Sequence, residues 1–169
     1  HWFYEATSCG SNTLSGSYVQ VAGGATILYA NVTGDINFMR LNRAPPAGAV
    51  FAGWDSTTIT QGLAATAIHH PAGDVKKVSL GTIAGFDTST LAPGSYIRVT
   101  WNSTATGVTE GGSSGSGIFT GNSGAGYRFR GGLLGGPSSC TANAANLYDV
   151  YSRFDQAYAL MEKYPTLPL

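Results

Sequence analysis

Short apolar runs broken by glycine, serine, threonine, asparagine and proline recur along the chain and predict β-strands separated by turns. They are "SYVQVA" (17–22), "ATILYA" (25–30), "INFMRL" (36–41), "AVFAGW" (49–54), "ATAIHH" (65–70), "KKVSLGTI" (76–83), "YIRVTW" (96–101), "SGIFT" (116–120), "YRFRGGLL" (127–134) and "YDVYSRF" (148–154). Apolar and polar positions alternate most clearly over 96–101 and 127–130, the period of a strand with one buried face. One segment departs from this rhythm. In "FDQAYALMEKY", Phe154, Tyr158, Leu160 and Met161 fall at helical spacing with alanines between, and Pro165 follows as a stop. That spacing predicts a single helix over 154–164. "GSNTLSGS" (10–17) and "TGNSGAG" (120–126) read as surface turns. With no internal repeat and no obvious linker, 169 residues fit one domain or a large part of one.

Composition sharpens this picture. Charged residues make up 11% of the chain, well under the roughly 25% of an average globular protein. Glycine is high at 24, and 9 tyrosines with 7 phenylalanines supply bulk for a core. Small polar residues in place of charges suit a secreted strand-and-turn protein. Nine basic and nine acidic residues cancel, so no basic patch points to nucleic acid. No apolar run approaches the roughly 20 residues of a membrane helix.

Several residues are candidates for chemistry. In "TEGGSSGSGIF" (109–119), Ser114 lies among glycines and hydroxyls just before a strand. Such a turn can converge backbone N–H groups on a developing oxyanion, although composition alone also explains a Gly-Ser loop. Asp35, in "TGDINFMRL", either caps a turn or orients a histidine, as the third member of a serine triad does. Asp149, in "NLYDVYSRF", sits in an aromatic and apolar run where burying a carboxylate is costly. It is either a solvent-facing strand residue or a charge at the floor of a pocket for a cationic ligand. His69 and His70 are neighbours on one strand and face opposite ways. They therefore read as structural, one of them buried and hydrogen-bonded, and not as a metal site. Cys9 and Cys140 read as two free thiols or as one disulfide closing a long loop.

Taken together, "AGWDS" (52–56), "ATAIHHPAGDVKKVS" (65–79), "GVTEGGSSGSGIF" (107–119) and "GGPSSC" (135–140) resemble the landmarks of chymotrypsin-fold (trypsin-like) serine proteases. The resemblance is closest to the bacterial secreted lysyl endopeptidases, and it runs from about residue 2 to residue 154. It implies an all-β fold: a chymotrypsin-like double β-barrel, present as the second barrel plus part of the first, with a C-terminal α-helix. Residues 1–80 would be the remainder of the first barrel and the linker, 81–153 the second barrel, and 154–164 the helix. By the same resemblance Ser114 is the nucleophile, and the N–H groups of Gly112 and Ser114 form the oxyanion hole. Asp35 would orient the catalytic histidine. Leu133, Leu134 and Gly135 would line the substrate strand. Asp149, nine residues after Cys140, would sit in the primary specificity pocket.

Two departures from the family pattern shape the expectations. The family's Ala-His-Cys segment is absent, and His1, 34 positions before Asp35, has the wrong neighbours. The resemblance thus implies the C-terminal portion of a catalytic domain. The histidine would come from a segment or second chain outside this sequence, disulfide-linked through Cys9 and Cys140. The histidine and tryptophan that flank the family's pocket also lack counterparts. Leu134 replaces the first, and "AGFDTSTLAPG" (84–94) has no tryptophan. The expected activity is secreted serine endopeptidase cleavage after lysine or arginine, on peptide or protein substrates, with no cofactor or metal and no nucleic-acid or membrane partner. The alternatives are a catalytically inactive, protease-like peptide-binding domain and a secreted carbohydrate-binding β module.

Overall fold

The strand-forming runs pair antiparallel, except for a two-residue parallel pairing of Gly53–Trp54 with Arg128–Phe129. The structure, a computed structural model, describes residues 1–87 and 96–164. Its strands are β1 (Ala25–Asn31), β2 (Ile36–Leu41), β3 (Gly53–Trp54), β4 (Ala64–His69), β5 (Lys77–Asp87), β6 (Tyr96–Trp101), β7 (Gly117–Asn122), β8 (Gly126–Gly135) and β9 (Tyr148–Ser152), followed by α1 (Phe154–Met161). β1 and β2 pair only with each other, while the other strands form one sheet in the order β3-β8-β7-β4-β5-β6-β9. β9 also pairs with β8, so β8, β7, β4, β5, β6 and β9 close into a ring. Closure removes the open edges that a sheet otherwise exposes.

The expected mostly-β architecture with one C-terminal helix is the one observed, and the helix stops at Met161. Pro165, the expected stop, lies outside the described residues, as does most of the 84–94 segment. The boundary expected at 80/81 falls inside β5. Two expected strands are corrected. Residues 17–22 contribute only an isolated bridge between Trp2 and Val19, and 49–54 shortens to Gly53–Trp54. In the second stretch the ladder to β8 takes in Gly53 and Trp54, while Val50 and Phe51 stay exposed.

Alternation places the core. Ala65 and Ala67 of β4, Ile83 of β5, Ile97, Val99 and Trp101 of β6, Ile118 of β7, Leu133 of β8 and Tyr151 of β9 meet inside the ring. Small residues on β4 and β5 make room for the large rings of Trp101 and Tyr151. A Cβ at Gly81 would lie 2.9 Å from the Trp101 ring. Outside the ring, α1 buries Ala157 and Met161, and Phe154 stacks edge-on against Phe129 of β8 and Trp54 of β3.

β8 changes partner along its length, from β7 over Gly126–Gly132 to β9 at Leu133 and Gly135. Gly131 lies where the two ladders meet, and a Cβ there would overlap the main-chain carbonyl of Ser152. Backbone cannot yield as a side chain can. Gly131→Ala is therefore expected to destabilise the fold by about 3 kcal/mol, read as a shift of the urea midpoint at constant m-value. A loss below about 1 kcal/mol would mean that β8 and β9 part more easily than their packing implies.

Candidate active site

The Gly-Ser stretch forms a tight loop held at every turn by backbone bonds. Ser113 N–H donates to Glu110 C=O (3.0 Å), Ser116 N–H to Ser113 C=O (3.1 Å), and Gly115 N–H to Leu133 C=O (2.8 Å). From the other side, Ala72 N–H donates to Gly111 C=O (2.8 Å). Gly112 and Gly115 have φ of +91° and +79°, a left-handed conformation that glycine adopts without the Cβ penalty. These two reversals turn the consecutive serines opposite ways. Ser114 is exposed at the loop tip, whereas Ser113 is 1% exposed.

Beneath the loop, Ser113 Oγ lies 2.9 Å from His69 Nδ1, and His69 Nε2 lies 2.8 Å from Ser79 Oγ. Burial, reinforced by the neighbouring His70 and opposed by Glu110, pulls the His69 imidazole down to about 4, so the ring is neutral at pH 7. One of the histidine pair is thus buried and hydrogen-bonded. His70 is engaged elsewhere, with Nδ1 3.1 Å from the Asp74 carbonyl and its ring against Tyr4. His1 contacts Tyr18 through Nδ1 and stacks on its ring. Each of the chain's three histidines therefore has its ring partnered away from Ser114. Among the described residues no group of three or more His, Cys, Asp or Glu could hold a metal.

Asp149 is not a solvent-facing residue; it is 1% exposed. Its Oδ2 accepts from Trp101 Nε1–H at 2.6 Å and lies 2.5 Å from both Thr109 Oγ1 and Ser138 Oγ. These donors are neutral, and among the described residues no ion pair reaches Asp149. Gly136 packs directly on the carboxylate, and a Cβ there would collide with Oδ1. The three donors come from β6, from the start of the Gly-Ser loop and from the segment after β8. They tie the carboxylate to the serine loop. Glu110 adds a second tie by accepting from Cys140 N–H (3.1 Å). Tyr151 Oη, on the same strand as Asp149, is buried without a hydrogen-bond partner. Burial and the Asp149 charge push its ionisation upward.

Sequence reading missed Thr109, Ser138 and Trp101 as supports of Asp149. The first two lie inside the quoted landmarks, yet a hydroxyl in a Gly-Ser-rich stretch carries no mark of the carboxylate it will meet. The strand expected to receive substrate is more committed than anticipated. Leu133 already donates its N–H to Ser116 C=O (2.9 Å) and gives its carbonyl to Gly115, while Leu134 and Gly135 are half-buried.

Asp35 is corrected in one respect. A carboxylate that orients a buried imidazole is itself expected to be shielded, but Asp35 is exposed, with φ of +50°, in the turn between β1 and β2. The hairpin forms a sheet apart from the ring, and one contact anchors its tip: Tyr96 Oη–H donates to Thr33 C=O (2.8 Å). Burial and the nearby Asp35 charge raise the Tyr96 ionisation. This places Asp35 near the end of β6 that pairs with Ser152 of β9. Of the two readings of the cysteines, two free thiols is the one observed. Cys9 and Cys140 are both free and exposed, so no single bridge closes the loop between them.

A family model described as lysyl endopeptidase, C-terminal domain, matches residues 1–152. A lysyl endopeptidase of Pseudomonas aeruginosa is 39% identical over 165 residues, which is 96% of this chain and 35% of that protein. The chain thus spans about a third of the length of that relative. Among solved structures, the inactive form of a mutant of Rv3671c from M. tuberculosis H37Rv superposes with a TM-score of 0.53 at 14% identity. That match covers 86% of this chain and 67% of the other, and at such low identity it speaks for the fold alone. Family match and close relative agree across nearly the whole chain, and on that ground it belongs to the lysyl endopeptidase C-terminal domain family.

Proposed function

We propose that this chain is the C-terminal part of a secreted serine endopeptidase that cleaves peptides and proteins after basic residues, lysine foremost. The observation that carries this reading is Asp149: a buried carboxylate met by three neutral donors and, among the described residues, by no cation. A buried charge without a counter-ion is costly. A site that keeps one can repay the cost when a lysine side chain enters and supplies the ammonium. An uncharged side chain in the same place leaves the carboxylate unpaired, which is the basis of strong discrimination. Secretion fits the low charge content and the named relative.

In this reading Ser114 Oγ attacks the scissile carbonyl. Its proton passes to an imidazole, the N–H groups of Gly112 and Ser114 receive the oxyanion, and the imidazole returns the proton to the leaving amine. Water then releases the acyl group from Ser114. The imidazole comes from outside these 169 residues, since His1, His69 and His70 are all engaged elsewhere. Asp35 orients it from the hairpin tip, and Cys9 and Cys140, free and exposed, bond cysteines of the segment or second chain that carries it. The substrate lies along Leu133, Leu134 and Gly135 as an added strand. Because Leu133 N–H is already donated, Leu134 and Gly135 have to carry the main-chain contacts.

Fluorogenic peptides with Lys, Arg, Leu or Glu at the cleaved position, offered to the full-length protein, test this. Lys and Arg peptides are expected to be cut at least about a hundredfold faster than Leu and Glu peptides. A serine-directed phosphonate is expected to label Ser114. Equal rates across the panel would remove Asp149 from the pocket. Absence of labelling would instead favour a peptide-binding domain without catalysis.

A further inference from the structure

The two N–H groups assigned to the oxyanion hole flank Ser113, a residue with no role in that chemistry. Its neighbours offer the loop no anchor: Gly112 has no side chain, and Ser114 is exposed. Its own side chain is buried and ends 2.9 Å from His69 Nδ1. His69 sits at the end of β4, and its other nitrogen is held 2.8 Å from Ser79 Oγ of β5. We propose that His69 is a positioning residue, latching the nucleophile loop through Ser113 and so setting the direction of the Gly112 and Ser114 N–H groups. The proposal rests on the protease reading above.

The physics is that of a fixed ring between two hydroxyls. With both nitrogens engaged and the ring 1% exposed, the imidazole cannot rotate without breaking a buried bond. β4 and β5 are adjacent barrel strands, paired from Ala64↔Thr82 to His69↔Lys77, so the anchor is rigid. No carboxylate touches the ring. Glu110 and His70 act on it only through their charges, and Lys77, opposite in register, reaches Asn12 and Asp74 instead. A neutral ring can accept from one serine and donate to the other. That is a complete circuit with no buried polar atom left over. Main-chain bonds to Glu110 and Ser116 hold Ser113 at both ends, and Gly115 N–H ties the loop to Leu133 C=O of β8; the Ser113 side chain adds the tie to His69 of β4 and, through it, to Ser79 of β5.

The test uses the full-length protein with Ser113→Ala, His69→Gln and His69→Asn. The asparagine amide can replace Nδ1, which faces Ser113, whereas the glutamine amide can replace only Nε2, which faces Ser79. Ser113→Ala and His69→Gln are expected to lower kcat about 10- to 100-fold, as small displacements of reacting groups do, with KM changed less than about threefold. His69→Asn is expected to stay within about threefold of wild type. Affinity for a peptide aldehyde ending in lysine, which needs the oxyanion hole, should fall in step with kcat. Affinity for the product peptide ending in lysine should not. Equal losses in the asparagine and glutamine variants, or an unchanged kcat in folded Ser113→Ala, would overturn the proposal. Amide exchange over 110–116 supplies a readout that needs no turnover. It should quicken in Ser113→Ala and His69→Gln while β4 and β5 stay protected, and unchanged exchange would also overturn the latch. Failure of the wild type to cleave or to be labelled would instead count against the protease reading alone.

Discussion

Ser114→Ala in the full-length protein is expected to lower kcat by about ten-thousandfold or more, as loss of the nucleophile does when the rest of the machinery works as a unit. Substrate affinity should be kept, because Ser114 is exposed at the loop tip and makes no contact that supports Asp149. The fold should also be kept. The bonds that shape the loop come from Ser113, Gly115 and Ser116 main chain and from Ala72, and alanine changes none of them. The measurement is single-turnover and steady-state cleavage of a lysyl peptide, with a thermal unfolding curve for the same sample. A variant that retained activity within tenfold would show that another group attacks the carbonyl.

Asp149→Asn should produce the second large effect, a fall in kcat/KM for lysyl peptides of about a thousandfold, in line with the 2–5 kcal/mol lost when one member of a buried charge pair is removed. Asparagine has the same shape, and its carbonyl can still receive Trp101, Thr109 and Ser138, so the pocket should keep its form. Removing an unpaired buried charge should leave stability equal or higher. Labelling of Ser114 by a small neutral phosphonate should persist, because the loop geometry does not depend on the pocket charge. Loss of labelling together with lysyl cleavage would mean that Asp149 holds the loop and not the substrate.

In the proposed reading the two variants separate attack from recognition, and the two sites are built from different contacts. The serine loop takes its shape from backbone bonds, two left-handed glycines and the Ser113 contact with His69. The Asp149 carboxylate takes its place from β9 and from side chains on three other segments. Thr109 is the hinge between them, since it both bonds Asp149 and begins the loop. Gly131 and Gly136 allow this compactness by letting main chain and carboxylate approach where a Cβ would not fit.

By itself the sequence determined the local features. Strand β6 runs over the residues that alternation picks out, Tyr96–Trp101, and β2 over the short apolar run Ile36–Leu41, and the helix starts at Phe154 where helical spacing begins. These depend on periods of two and 3.6 residues, which neighbours along the chain carry. Pairing partners and side-chain environment belong to the tertiary structure alone. Residues 17–22 look like a strand but meet no ladder. Asp35 lies exposed at a hairpin tip because its sheet stands apart from the ring. Ser113 and Ser114 are adjacent and chemically identical, yet one is locked to His69 inside the barrel and the other faces outward. Asp149 is a charged residue in an apolar run, and only the fold brings Trp101, Thr109 and Ser138, distant along the chain, to one of its oxygens. Hydrogen bonds to a buried group come from whatever the fold places within 3 Å, and no spacing along a single chain encodes that distance.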